Sequence, residues 1–382
     1  MTGGATKGDA GGDGAGAGDA VPLRFRVEAA LARGALGLLR RLGPVAASDL
    51  GGAVARTIGP WLPVSRVAEA NLRAAMPELD AAARRRVVRG VWDNLGRTVA
   101  ELPHVAALKQ TASGPGWEMV GEETLHRLAA RGGPAIFVSG HIGNWEVLPA
   151  AVAAYGMPLS GMYRAAQNPL VDEMVVSLRR RAIGAEVPMF PKGAAGARRA
   201  LAHLSRGGYL GMLMDQKMND GIEARFFGRP AMTAPALAAL ALRFRCPVVP
   251  GHVQRIGPAR FRLVCEEPLE LPDTGDRQAD ILAVTQAVND RLERWIRARP
   301  EGWLWLHRRW PKVGQRRGFA GAFTTSGNGE RAMLRIAGRG RPEAAPISRS
   351  CASMMPRAGS SPSRPVSAVL GTRRLLLRVP SA

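Results

Sequence analysis

Cysteine is scarce: Cys246, Cys265 and Cys351 are the only three in 382 residues. An odd count at unpatterned spacing argues against a disulfide framework and against a four-cysteine zinc site. Long apolar runs are also missing. The longest uncharged stretch near the middle, Val147 to Tyr163, is interrupted by Pro149, Gly156 and Pro158. It falls short of the roughly 18 apolar residues that a membrane-spanning helix needs. The first twenty residues lack the basic start and apolar segment of a secretory signal. Absent as well are a Gly-x-Ser-x-Gly elbow, a His-Glu-x-x-His zinc helix, a phosphate-binding Walker loop and a Gly-rich dinucleotide fingerprint. No internal repeat is visible.

Acidic residues are few, 31 against 53 Lys plus Arg, for a net charge of +22. A surplus of that size suits acidic partners: nucleic acid, anionic lipid headgroups or an acidic carrier protein. Composition does not choose among them. Residues 313–382 hold twelve arginines and two glutamates among Gly, Ser and Pro, and read as a basic disordered tail. Residues 1–21 read as a disordered Gly/Ala-rich start. The tail's Leu375-Leu376-Leu377 run between arginines could touch lipid, a functionless extension being the plainer reading.

Over the whole chain 46% apolar content is ordinary for a folded protein. Residues 22–110 read as an N-terminal helical, membrane-associating region. In 22–75, short helices carry Leu36, Leu38, Leu39 and Leu42 beside Arg33, Arg40 and Arg41, with Trp61 after Pro60. Such a face lies in a bilayer interface or packs on its own domain, and the pattern leaves both open. Asp80 is placed to cap a long helix whose Val88, Val91, Trp92, Leu95, Val99 and Leu102 follow at steps of three and four, the pattern of a core-facing side.

Residues 111–312 are expected to form an α/β domain, and from residue 133 short apolar runs alternate with helical stretches. Apolar runs at 134–139, 158–163, 209–214, 247–253 and 260–265 read as strands. Helices are expected from about Asn144, over 169–183, 193–206 and 233–244, and around Ile281 to Trp295. This predicts an α/β fold, a mixed β-sheet covered by helices.

Of six histidines, His141 stands apart. It ends an apolar strand after Ser139-Gly140, and Glu146 follows five residues later. On one regular helix the two would point about 140° apart. With His141 in the turn before a helix and Glu146 in its first turn, the carboxylate can reach back to the ring, Gly140 and Gly143 allowing the bend. A carboxylate on one ring nitrogen fixes the tautomer and leaves the other as a base. Sites of α/β proteins gather beyond strand C-termini, where His141 sits. Cys246 and Cys265 have no base beside them and read as buried thiols.

The segment His141-Ile-Gly-Asn-Trp-Glu146 after Phe137-Val-Ser-Gly140 resembles the His-x4-Asp/Glu signature of glycerolipid-type acyltransferases. Met162-Tyr-Arg164 with Asn168-Pro169, Asp215-Gln216, Phe226-Phe227-Gly228 with Thr233, Glu267-Pro268-Leu269 and the run Trp303-Leu-Trp-Leu-His-Arg-Arg-Trp-Pro311 narrow the likeness to the bacterial lipid A biosynthesis (late, or secondary) acyltransferases. It covers roughly residues 23–312. The resemblance implies transfer of a fatty acyl group from an acyl carrier protein thioester to a hydroxyl of a lipid A precursor. It casts His141 as general base, Glu146 as its partner, and Arg164 and Asp215 as supporting residues, with Asp215 orienting Arg164 or the two forming a structural ion pair. His307, Arg308 and Arg309 become candidate phosphate or carrier contacts. Trp303, Trp305 and Trp310 belong to a membrane-interface belt or to the core. A thioester is already activated, so no cofactor and no metal is implied. The expected partners are acyl carrier protein, a phosphorylated glycolipid acceptor and a membrane surface, not nucleic acid. The expected place is the cytoplasmic face of the cell inner membrane, peripheral or monotopic. Two rivals remain at this stage: acylation of another membrane lipid, such as a lysophospholipid or glycolipid, and a non-enzymatic basic protein that binds membrane or nucleic acid.

Overall fold

A computed structural model describes residues 21–191 and 193–310; the glycine-rich start, the basic tail and Cys351 lie outside the described residues. The N-terminal region is three helices, α1 (Leu23–Ile58), α2 (Ser65–Ala75) and α3 (Ala81–Glu101). One kinked helix, α1, replaces the several short ones expected. Its kink is at Gly43, with φ 73° and ψ 165°, because Pro44 disfavours helical geometry in the residue before it. Beyond the kink α1 crosses α3 so closely that a Cβ on Gly51 would lie 2.4 Å from the Gly96 carbonyl oxygen. Asp80 caps α3 as expected, its Oδ1 accepting from the Ala83 N–H at 2.6 Å.

The rest is β1 (Gly116–Val120), α4 (Glu122–Arg131), β2 (Ala135–Ser139), α5 (Val147–Ala153), β3 (Leu159–Tyr163), α6 (Pro169–Ile183), β4 (Phe190–Pro191), α7 (Ala194–Ser205), β5 (Tyr209–Leu213), β6 (Ile222–Phe226), β7 (Arg229–Thr233), α8 (Ala236–Phe244), β8 (Val248–Gly257), β9 (Arg260–Cys265) and α9 (Arg277–Ala298). The five expected strands are β2, β3, β5, β8 and β9, while β1, α4, β4, β6 and β7 are not among the elements expected. Seven strands form one mixed sheet in the order β1-β9-β8-β2-β5-β3-β4, and β6 and β7 form a separate hairpin. Strands β8, β2, β5, β3 and β4 run parallel; β9 is antiparallel to β8 and carries β1 beside it. All five residues of β2 are buried, as a central parallel strand requires.

Behind the sheet, Trp303, Trp305 and Trp310 are buried with Phe226 and Phe227. Trp303 and Trp305 meet edge to face at 4.5 Å, and Phe226 stacks on Trp310 at 5.7 Å. Of the two readings of the tryptophan run, core packing is the one that holds. The expected apolar face of α3 holds only in part. Val88 and Val91 are buried, but Val99 is exposed, and the buried positions further on are Asn94, Thr98, Ala100 and Glu101, three of them polar.

Candidate active site

Strand β2 ends at Ser139, and residues 140–146 turn before α5 begins at Val147, three residues later than expected. Gly143 sits at φ 60°, and a Cβ there would lie 2.3 Å from the Val253 carbonyl oxygen, so both the turn and the close approach require glycine. Gly140 acts by its size: a Cβ would press within 3.3 Å of Asp215. The returning C-terminal segment pairs with the turn, the Gly143 N–H donating to the Gly302 carbonyl at 2.9 Å and the Leu304 N–H to the His141 carbonyl at 3.0 Å.

Into that turn projects Asp215, two residues beyond the end of β5. Because β5 is the hydrogen-bonded neighbour of β2, its carboxylate arrives beside His141 from 74 residues away. The His141 Nδ1–H donates to Oδ1 at 2.9 Å, and the His141 backbone N–H donates to Oδ2 at 3.0 Å. The Trp303 indole N–H reaches Oδ2 at 2.7 Å. Asp215 is fully buried. Burial alone would raise its pKa, but the charge and hydrogen bond of His141, the charge of His307 and the Trp303 N–H outweigh it and hold the carboxyl well below the usual carboxylate range. The site therefore holds an ionised carboxylate against Nδ1, which keeps the imidazole proton on that nitrogen and gives Nε2 the acceptor character of the neutral ring.

Here the expected pairings need correction. Asp215, not Glu146, occupies Nδ1. Glu146 turns its two oxygens to Arg179 of α6, accepting from Nε at 2.8 Å and from Nη2 at 2.6 Å. A fork of this kind is a strong, geometrically specific grip. Trp145, the residue between, sets its ring edge-on to His141 at 5.0 Å. Nor does Asp215 orient Arg164: its carboxylate is taken by His141 and Trp303, and Arg164 is an exposed side chain at the end of β3.

The three residues of the C-terminal run also separate. Arg308 is exposed. Arg309 is wholly buried, donating to the Met232 carbonyl at 3.0 Å and the Thr233 hydroxyl at 2.8 Å, with its guanidinium 4.8 Å from the Phe226 ring. Burial lowers its pKa to about 10. It is a core residue and is not placed to meet phosphate or carrier. The His307 Nε2–H donates to the Asp215 carbonyl at 3.4 Å, its ring lying against Trp303 at 5.2 Å. Burial depresses its pKa despite the nearby Asp215 charge. His307 packs beside the His141 ring, centroids 6.4 Å apart.

A cavity of about 330 Å³ opens at His141. Its polar lip is His141, Glu146, Arg179, Tyr163, Arg164 and Gln216; its interior is apolar, with Phe137, Val152, Leu159, Met189, Val249 and Leu263 among the walls. Lining residues come from β3, β5, β2, β8, β9 and β1, under α4, α5 and α6. Six adjacent strands at about 4.8 Å spacing make a span of about 24 Å. Cys265 lines the cavity and Cys246 is buried, with burial pushing their thiols up to about 12 and about 11. Both are protonated at neutral pH. Among the described residues no three His, Cys, Asp or Glu side chains converge as a metal site would need.

Sequence reasoning did not find Arg179, one of several arginines on an amphipathic helix, nor Trp303 as a donor to Asp215. It found Asp215 but gave it the wrong neighbour. Strand order alone reveals that neighbour.

Residues 24–312 match the family model of the bacterial lipid A biosynthesis acyltransferases. A protein of Haemophilus influenzae named lipid A biosynthesis acyltransferase is 22% identical over 244 residues, covering 63% of this chain and 73% of that protein.

Proposed function

The chain belongs to the bacterial lipid A biosynthesis acyltransferase family, and on that premise we propose that it moves a fatty acyl group from an acyl carrier protein thioester to a hydroxyl of a phosphorylated lipid A precursor. As an acyltransferase it is an enzyme, which sets aside the reading as a non-enzymatic basic binder.

In this mechanism the acceptor hydroxyl lies against Nε2 of His141. The ring takes the hydroxyl proton as the oxygen attacks the thioester carbon, and Asp215 steadies the imidazolium that forms. The tetrahedral intermediate collapses, the C–S bond breaks, and His141 returns the proton to the departing thiolate. One ester forms, one thioester is lost and no covalent enzyme intermediate arises. Arg164, exposed at the cavity lip, supplies positive charge to the oxyanion or to a substrate phosphate. Glu146 and Arg179 keep each other fixed beside the reacting atoms. The apolar interior takes the acyl chain.

Attachment to the membrane falls to the first half of α1. Leu23, Val27, Leu31, Leu38 and Leu42 are exposed and lie within an arc of about 100° on the helix. Exposed Arg24, Arg33, Arg40 and Arg41 flank them, and Trp61, 87% exposed, lies beyond the kink. An apolar stripe bordered by arginines suits the interface of an anionic bilayer. Among the described residues no helix is long and apolar enough to cross one. The proposed site of action is the cytoplasmic face of the inner membrane, where carrier-bound acyl groups and a phosphoglycolipid can meet.

The observation that carries the reading is the Asp215–His141 contact at the lip of an apolar cavity. The test is acyl transfer by the purified full chain from acyl carrier thioester to a phosphorylated glycolipid, followed by mass spectrometry of the lipid. The wild type adds one acyl chain and His141→Ala, folded by circular dichroism, adds none. A folded His141→Ala protein that still transfers acyl groups overturns the mechanism. If the glycolipid gains no mass while a lysophospholipid does, the acceptor assignment is wrong.

A further inference from the structure

The buried side of α3 presents Asn94, Thr98 and Glu101, spaced by four and three residues and therefore on one face. All three face the turn that carries His141. The Asn94 amide donates to the Gly143 carbonyl at 3.0 Å and to the Gly302 carbonyl at 3.3 Å. The Thr98 hydroxyl donates to the same Gly143 carbonyl at 3.2 Å. Glu101, wholly buried, accepts from the Asn144 amide at 2.7 Å, and Asn144 in turn accepts from the Glu146 N–H at 3.1 Å.

One cation ties the three together. Arg255 of β8 donates from Nε to Asn94 Oδ1 at 3.0 Å, from Nη2 to the Thr98 hydroxyl at 3.2 Å, and from Nη1 to Glu101. The Ala259 N–H at 3.0 Å and the Ser48 hydroxyl of α1 at 2.6 Å complete the shell of Glu101.

A buried face made of Asn, Thr and Glu is costly to assemble, and leucines would pack there more cheaply. Its hydrogen bonds end on Gly143 and Asn144, the two residues midway between His141 and Glu146. We infer that Asn94, Thr98 and Glu101, joined by Arg255, are positioning residues for acyl transfer: they fix the 142–144 turn so that His141 meets Asp215 and Glu146 meets Arg179. They act through the turn and touch neither substrate. Ser48 connects the same network to α1, so the helix that carries the membrane-facing stripe and the catalytic turn share one buried carboxylate.

The inference rests on the proposed role of His141, and its test separates the two. Purified full-length Asn94→Leu/Thr98→Val, which keeps the number and branching of side-chain heavy atoms but removes both donors to Gly143, is compared with wild type, Thr98→Ser and His141→Ala. Transfer is measured at a temperature well below each protein's melting midpoint. For the double variant kcat falls about 10- to 100-fold, the loss that a displaced reacting group produces, while KM for the thioester stays within about 2-fold. Thr98→Ser, which keeps the hydroxyl, stays within about 2-fold of wild type in kcat. If the double variant fails to fold, Thr98→Val alone decides, with a kcat loss of about 3-fold or more expected. A folded variant that melts earlier but keeps wild-type kcat shows a structural role only and overturns the inference. Activity in His141→Ala would instead overturn the mechanism of the preceding subsection.

Discussion

At the scale of single residues, the chemistry depends on which carboxylate reaches which ring nitrogen. His141 was legible because an imidazole at a strand end after Ser-Gly is an unusual placement. Its partner was not, because sequence spacing shows only local carboxylates, and Glu146 is the local one. Asp215 prevails through topology, and Glu146 finds Arg179, an arginine indistinguishable by sequence from its neighbours Arg180 and Arg181. A second histidine gives an independent check on the energetics. His252 is buried on β8, stacked on Trp295 at 4.6 Å, and burial lowers its pKa to about 4. The unfolded chain takes up that proton near pH 6.5, whereas the folded protein stays neutral until about pH 4. Between those values the unfolded state binds more protons, so stability falls as the pH drops, by up to about 3 kcal/mol from this group. Urea unfolding of wild type and His252→Gln at pH 7 and pH 4.5 measures the effect. The variant, whatever its baseline, loses less stability on acidification; an equal loss in both proteins rules His252 out.

The elements divide by how their information is stored. Strands β2, β3, β5, β8 and β9 and helices α6 to α9 could be placed from apolar runs and caps, because local pattern and tertiary burial agree there. Helix α3 misled, since its aliphatic residues suggested an apolar face while the buried side is partly polar. The spacing of Asn94, Thr98 and Glu101 was visible, but a polar stripe ordinarily faces water, and only the turn packed against it shows otherwise. In α1 the two halves differ: the part beyond Gly43 packs on α3, while the part before it exposes Leu23, Leu31, Leu38 and Leu42, the face proposed to meet the bilayer. Leu31 and Leu38 are 70% and 56% exposed, so Leu31→Glu/Leu38→Glu leaves the melting midpoint within about 2 °C. The same change weakens co-sedimentation with vesicles containing anionic phospholipid by about 10-fold or more, and added salt weakens the wild type because the flanking arginines contribute. Undiminished vesicle binding by the double glutamate variant removes α1 as the membrane contact.

The whole molecule makes the site by converging segments that lie far apart in the chain. The end of β2 supplies His141, the end of β5 supplies Asp215, the end of β3 supplies Arg164, and the returning segment after α9 supplies Trp303 and the backbone that pairs with the turn. The sheet order β8-β2-β5-β3 is what brings these together, and no periodicity in the sequence encodes that order. Alternation announced an α/β sheet; the adjacency of β2 and β5 had to be seen. The central claim is accordingly that Asp215 serves catalysis only through His141. Single-turnover acyl transfer by wild type, His141→Ala, Asp215→Asn and the double variant tests it directly, since groups acting as one unit are non-additive. Asp215→Asn is expected to lower the rate by about 10²- to 10⁴-fold, and adding it to His141→Ala to cost nothing further. A near-wild-type rate for folded Asp215→Asn, or an undiminished further loss in the double variant, would contradict the account.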